Sequence, residues 1–165
     1  MPRGRRFFNA VVSNLSRWIQ SSGLSWRRHR SFRANESPIG PRGENIAADY
    51  LRRKGLRILE RGYASKTGEI DIIALDQQTL VFVEVKTWQR PAEGGPSDAV
   101  DHIKQGRLTQ TALGYLKQHS LLENRARFDV IQIVIDAVPG RPSNPPEIRH
   151  FENAFEATGR FQMFS

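Results

Sequence analysis

Asp71, Glu84 and Lys86 are the residues of this chain whose types and spacing could do chemistry together. Leu80 to Trp88 is apolar enough to be a central strand, with Val81, Val83 and Val85 pointing one way. Leu80, Phe82, Glu84 and Lys86 point the other way. Charges buried in a sheet are costly unless they are paired or bound to a metal. The preceding strand, Glu69 to Leu75, carries the same anomaly: Asp71 stands between Glu69 and Ile73 on one face, and Ile70, Ile72 and Ala74 take the other. Pairing across a hairpin turn at Asp76-Gln77-Gln78-Thr79 would bring the two carboxylates together. At about 4 Å they repel by roughly 4 kcal/mol at an effective dielectric of about 20. Either one carboxyl holds a proton or a cation sits between them. Oxygen-only ligands suit Mg²⁺ or Mn²⁺. A lysine on the same side can orient or deprotonate water and stabilise charge developing on a phosphate. An isolated Glu-x-Lys is usually an ordinary ion pair; its conjunction with an acid in the strand before it points to chemistry.

The elements that must position these groups read as follows. Residues 43–54 form a helix with Ile46, Ala47, Tyr50 and Leu51 in one stripe and Gly55 as its stop. Glu44 lies in its first turn and shares a face with Ala47, Ala48 and Leu51, which makes it a fourth candidate site residue. Leu56 to Tyr63 is a first strand, followed by the two strands above. A loop spans 89–96, and a long helix runs from Ser97 to His119. On that helix Lys104 and Arg107, one turn apart, could contact phosphates near the site. Arg127 to Asp136 is a strand buried on both faces, and Glu147 to Phe151 an edge strand. The order α-β-β-β-α-β(-β) predicts an α/β domain with a mixed central sheet flanked by helices.

The net charge of +8 is unevenly placed. Residues 1–43 hold nine of the 25 Lys and Arg but only one of the 17 acids, Glu36, which leaves sixteen of each sign in 44–165. This is a basic tail on a neutral domain. Residues 1–39 are therefore expected to form a basic amphipathic extension, poorly ordered or helical, and 40–165 the folded domain. The cluster Arg27, Arg28 and Arg30 suits nucleic acid. Residues 7–19 have helical apolar spacing, so contact with a membrane surface is a secondary reading, and the Arg- and Ser-rich composition also resembles a transit peptide. The absence of cysteine excludes disulfides, thiolate metal sites and a cysteine nucleophile, and it fits a reducing, cytoplasmic setting. No glycine-rich loop of the ATP-binding kind is present.

The pattern Asp71…Glu84-x-Lys86, after a helix carrying Glu44, resembles the PD-(D/E)XK nuclease superfamily, in particular its Holliday-junction-resolvase-like members. Gly-Glu-x-x-Ala-x-x-Tyr-Leu at 43–51, Gly-Glu-Ile-Asp-Ile-Ile-Ala at 68–74 and Val-Phe-Val-Glu-Val-Lys at 81–86 are similar to the YraN-like family of small bacterial proteins. So are Arg-Phe-Asp-Val at 127–130 and Asn-Ala-Phe at 153–155. The resemblance spans about 40–156 and implies a restriction-endonuclease-like αβββαβ core. It also implies Asp71 and Glu84 as metal ligands, Lys86 as the catalytic lysine and Glu44 as the helix-borne acid. Ile70 stands where the superfamily carries a proline. The expected function is Mg²⁺- or Mn²⁺-dependent hydrolysis of phosphodiester bonds in nucleic acid, DNA ahead of RNA, in repair, recombination or DNA uptake. A homodimer would suit a junction-cleaving enzyme. Two alternatives stay open: a non-catalytic nucleic-acid-binding module of the same fold, and a tail acting as a membrane or targeting element.

Overall fold

The computed structural model describes Leu15 and residues 39–90, 100–136 and 144–158. Arg27, Arg28 and Arg30, most of the apolar stripe at 7–19 and residues 91–99, which include most of the predicted loop at 89–96, lie outside the described residues.

Helix α1 covers Ile39–Arg53, four residues more at its start than the periodicity predicts. Pro41 explains the difference, since a helix tolerates proline in its first turn, where the missing N–H would have no partner. Glu44 therefore sits in the second turn and not the first, away from the free amides of the helix end. The other end is as read. Gly55 takes φ +91°, a conformation costly for residues with a Cβ. It closes the helix with Gly55 N–H donating to Arg52 C=O and Leu56 N–H to Leu51 C=O, both 3.0 Å.

Five strands follow in the sheet order β1-β2-β3-β4-β5: β1 Arg57–Ser65, β2 Gly68–Asp76, β3 Thr79–Arg90, β4 Arg125–Asp136 and β5 Glu147–Phe155. β3 and β4 are parallel and the other pairs antiparallel, so the sheet is mixed. Asp76 pairs with Thr79 across the expected turn, with Gln77 at φ 51°. β5 continues four residues past the predicted Phe151, held by its antiparallel pairing with β4.

Helix α2, His102–Gln118, connects β3 to β4. It starts later than the predicted Ser97 because Asp101 caps it, the Asp101 carboxylate accepting from Lys104 N–H at 2.8 Å.

The sheet separates two cores. On one face Ala47, Ala48 and Leu51 of α1 pack with Ile72, Ala74, Val81, Val83, Ile131 and Ile133. On the other, Leu108, Ala112, Tyr115 and Leu116 of α2 pack with Ile73, Leu75, Leu80, Phe82, Phe128 and Val130. Leu15 of the N-terminal extension is buried in this second group. The strand-three alternation is as the sequence predicts, valines under α1 and the Leu80–Phe82 side under α2. Ile70 departs from the expected alternation and belongs to the α2-side core. It lies past the last residue of β2 paired with β3 and is in register with Tyr63 of β1, which packs against the same core.

Candidate functional site

β2 and β3 are in register from Asp76↔Thr79 to Ile72↔Val83, and there the pairing stops. The next two residues in that register are Asp71 and Glu84, so the two acids face each other at a fork between the strands. The Asp71 Oδ2 atom enters the fork and accepts from the backbone N–H of Val85 at 2.6 Å. Glu84 is only 5% exposed.

Over the fork lies the first part of α2. Asp71, Glu84, Gly68, Glu69, Lys104 and Arg107 are among the residues lining a cleft of about 460 Å³, with Ile103 at its lip. Ile103 is 72% exposed, the most exposed large apolar side chain among the described residues. The Lys104 ammonium forms an ion pair with Glu84 Oε1. Burial, then the charge of Glu84, push the Asp71 carboxyl up to about 7; the Val85 amide and the Lys104 ammonium act the other way.

This shift has a measurable consequence. An Asp71 that keeps its proton to about pH 7 when folded, but loses it near pH 4 when unfolded, favours the folded state in acid. Its contribution is complete below about pH 4 and is lost as pH rises through about 7. Asp71→Asn keeps the acceptor for Val85 and removes the charge. The expected result at pH 8 without metal is a melting temperature higher by about 3 °C or more, equivalent to about 1 kcal/mol at this chain length. At pH 4 the two proteins should melt together.

The remaining predicted site residues are placed as follows. Lys86 follows Glu84 on the same face of β3, half-buried, beyond the residues that line the cleft. In β4 it is in register with Gln132, whose side chain is almost wholly buried. Glu44 is outside the cleft lining: it belongs to α1 and pairs with Arg61 of β1 at 3.8 Å. It is near enough to contribute to the upward push on Asp71. Lys104 and Arg107 both line the cleft, and the engagement of Lys104 with a site carboxylate is additional to the phosphate role their spacing suggests. Among the described residues, no three His, Asp or Glu side chains gather in a way that could hold a metal ion. Four acids line the cleft, Glu69, Asp71, Glu84 and Asp101.

Sequence reading missed a second polar cluster, around Asp129. This carboxylate is fully buried and accepts from Arg127 Nε at 3.0 Å, His150 Nε2 at 2.9 Å and the Asn153 backbone N–H at 2.9 Å. Arg127 also reaches Asp76 at 2.8 Å. The signal was present as an Arg and an Asp flanking Phe128 in a largely apolar strand, but the partners of Asp129 lie 21 and 24 residues further on and Asp76, the partner of Arg127, lies 51 residues before it.

An α-β-β-β-α-β core with an acid pair at a fork in a mixed sheet defines an α/β protein with a restriction-endonuclease-like core. The chain belongs to the uncharacterised protein family UPF0102, the YraN-like family, whose sequence profile matches residues 43–133. It is 40% identical over 161 residues to a UPF0102 protein of Rhodopirellula baltica, covering 93% of this chain and 94% of that protein. It is 44% identical over 118 residues to a UPF0102 protein of Geobacter sulfurreducens, covering 72% and 88%. With one from Caldanaerobacter subterraneus it shares 38% over 123 residues, covering 74% and 98%. The Rhodopirellula alignment covers so much of the chain that it extends into residues 1–39, beyond the span of the motif resemblance. Among the described residues no helix is long and apolar enough to cross a membrane.

Proposed function

We propose that this protein is a metal-dependent, endonuclease-like phosphodiesterase acting on nucleic acid, with DNA as the preferred substrate and the cytoplasm as its setting. The observation that carries this reading is the meeting of Asp71 and Glu84 at the fork between β2 and β3, inside a cleft that also presents Lys104 and Arg107. The donor set fits Mg²⁺ or Mn²⁺, which are commonly held by one or two carboxylates while waters and substrate phosphate oxygens take the other positions. Such an ion, when bound, supplies positive charge to the phosphate and makes water a better nucleophile at neutral pH.

The chain's own groups do the rest. Asp71 and Glu84 would hold the ion, whose charge would offset the burial and the Glu84 repulsion that raise the Asp71 carboxyl. Lys86, on the Glu84 face of β3, orients the attacking water and stabilises charge developing on the phosphate. Lys104 and Arg107 take up backbone phosphates, contacts that position nucleic acid without reading its sequence. Glu44 acts through Arg61 and through its field on Asp71, as a positioning residue. Arg27, Arg28 and Arg30 add affinity for the same polyanion.

Nicking of supercoiled plasmid tests the proposal. Purified protein should convert it to the open-circular form with Mn²⁺ or Mg²⁺ and not with a chelator present. Glu84→Gln, which keeps the shape of the buried side chain, should abolish the conversion. Equal nicking by both proteins would refute the assignment.

A further inference from the structure

Lys104 sits in the first turn of α2 with its backbone N–H tied to the Asp101 carboxylate, while its ammonium crosses the cleft to Glu84 Oε1. The two partners are unequally placed: the Glu84 side chain is 6% exposed and that of Lys104 48%. The carboxylate is therefore fixed in the sheet, and the lysine reaches it from the open side on a flexible four-carbon stem. Arg107, one turn further along α2, lines the same cleft, and the structure gives no ion pair between it and Glu84.

We infer that Lys104 is a cation switch, occupying the Glu84 oxygen until nucleic acid draws its ammonium onto a phosphate and frees that oxygen for a divalent ion. This rests on the metal-dependent reading of the Asp71–Glu84 pair. An ammonium and a divalent cation on one carboxylate oxygen repel each other, so each weakens the binding of the other. A phosphate backbone offers the ammonium another anion within the same cleft, and Glu84 is released as Lys104 turns to it. Metal and nucleic acid then bind with positive coupling, and by linkage each raises the affinity for the other by the same factor. The arrangement would keep the centre weakly charged with metal until substrate is in place.

The test is Mn²⁺ affinity, read from the electron paramagnetic resonance of free Mn²⁺, for wild type, Lys104→Met and Arg107→Met. Each is measured alone and with a cleavage-resistant phosphorothioate DNA oligonucleotide, with Mn²⁺ binding to the oligonucleotide alone subtracted. In the absence of DNA, Lys104→Met should bind Mn²⁺ about 5-fold or more tightly than wild type, the lower end of typical coupling between sites. The oligonucleotide should tighten Mn²⁺ binding to wild type by a similar factor and have little effect on Lys104→Met. Arg107→Met removes the same charge from the cleft and weakens DNA binding, but at saturating oligonucleotide its Mn²⁺ affinity should still tighten as that of wild type does. Unchanged or weaker Mn²⁺ binding by Lys104→Met overturns the switch, as does equal tightening by the two variants, which would reduce it to general cleft charge. Asp71→Asn and Glu84→Gln separate this from the reading beneath it. If they bind Mn²⁺ as wild type does, the location of the metal is wrong, and the switch falls with it.

Discussion

Lys86→Ala should lower Mn²⁺-dependent DNA nicking by about 10²–10³-fold, the usual cost of removing a group that stabilises transition-state charge. Mn²⁺ affinity should stay within about twofold of wild type, since the lysine is no ligand and its loss removes only a nearby positive charge. The geometry separates these two readouts. Asp71 and Glu84 meet at the fork, whereas Lys86 stands one residue further along the same face of β3, beyond the cleft lining. Half-buried as it is, the side chain can be shortened without opening the core, so circular dichroism and thermal melting should match wild type within about 1 kcal/mol. A variant that folds, binds Mn²⁺ and nicks as wild type does would remove Lys86 from the chemistry.

Asp129→Ala should cost about 3–5 kcal/mol of stability, the range for breaking a buried ion pair by deleting one partner. Burial alone would push the Asp129 carboxyl up, yet hydrogen bonds from His150, Arg127 and the Asn153 amide hold it below the usual carboxylate range. Removal leaves the Arg127 guanidinium, the His150 ring and a backbone N–H without this acceptor. The loss falls on the edge of the sheet, because Asp129 lies in the register irregularity between Phe128 and Val130 where β4 meets β5. Denaturant unfolding should therefore give a lower midpoint, and amide exchange should rise first in β5. Asp129→Asn, which keeps the shape and some of the hydrogen bonds, should fall between. An alanine variant as stable as wild type would show that the cluster contributes nothing net.

Much of the site was legible because it is written along single strands. The apolar run on both sides of β3 marked it as central, and within such a run the alternation decides that Glu84 and Lys86 share a face. The turn at 76–79 then set Asp71 opposite Glu84, since a two-residue hairpin leaves only one register. What could not be read depends on how separate elements dock. The pairing of Lys104 with Glu84 requires knowing where α2 begins, and the cap at Asp101 moves that start by five residues. The Asp129 cluster joins residues of β2, β4 and β5 that no local pattern connects. Glu44 faces inward, as its spacing suggested, but α1 packs on the face opposite α2, which takes the acid to Arg61 and not into the cleft.

Calorimetric titration with Mn²⁺, comparing wild type with Asp71→Asn at pH 8, addresses the central claim most directly. At that pH the Asp71 carboxyl is mostly ionised, since its proton leaves at about 7. Wild type should bind one ion per chain, and the variant should lose at least about 1.4 kcal/mol of that binding, a tenfold weakening. Equal affinities in the two proteins would contradict a metal centre built on Asp71 and Glu84.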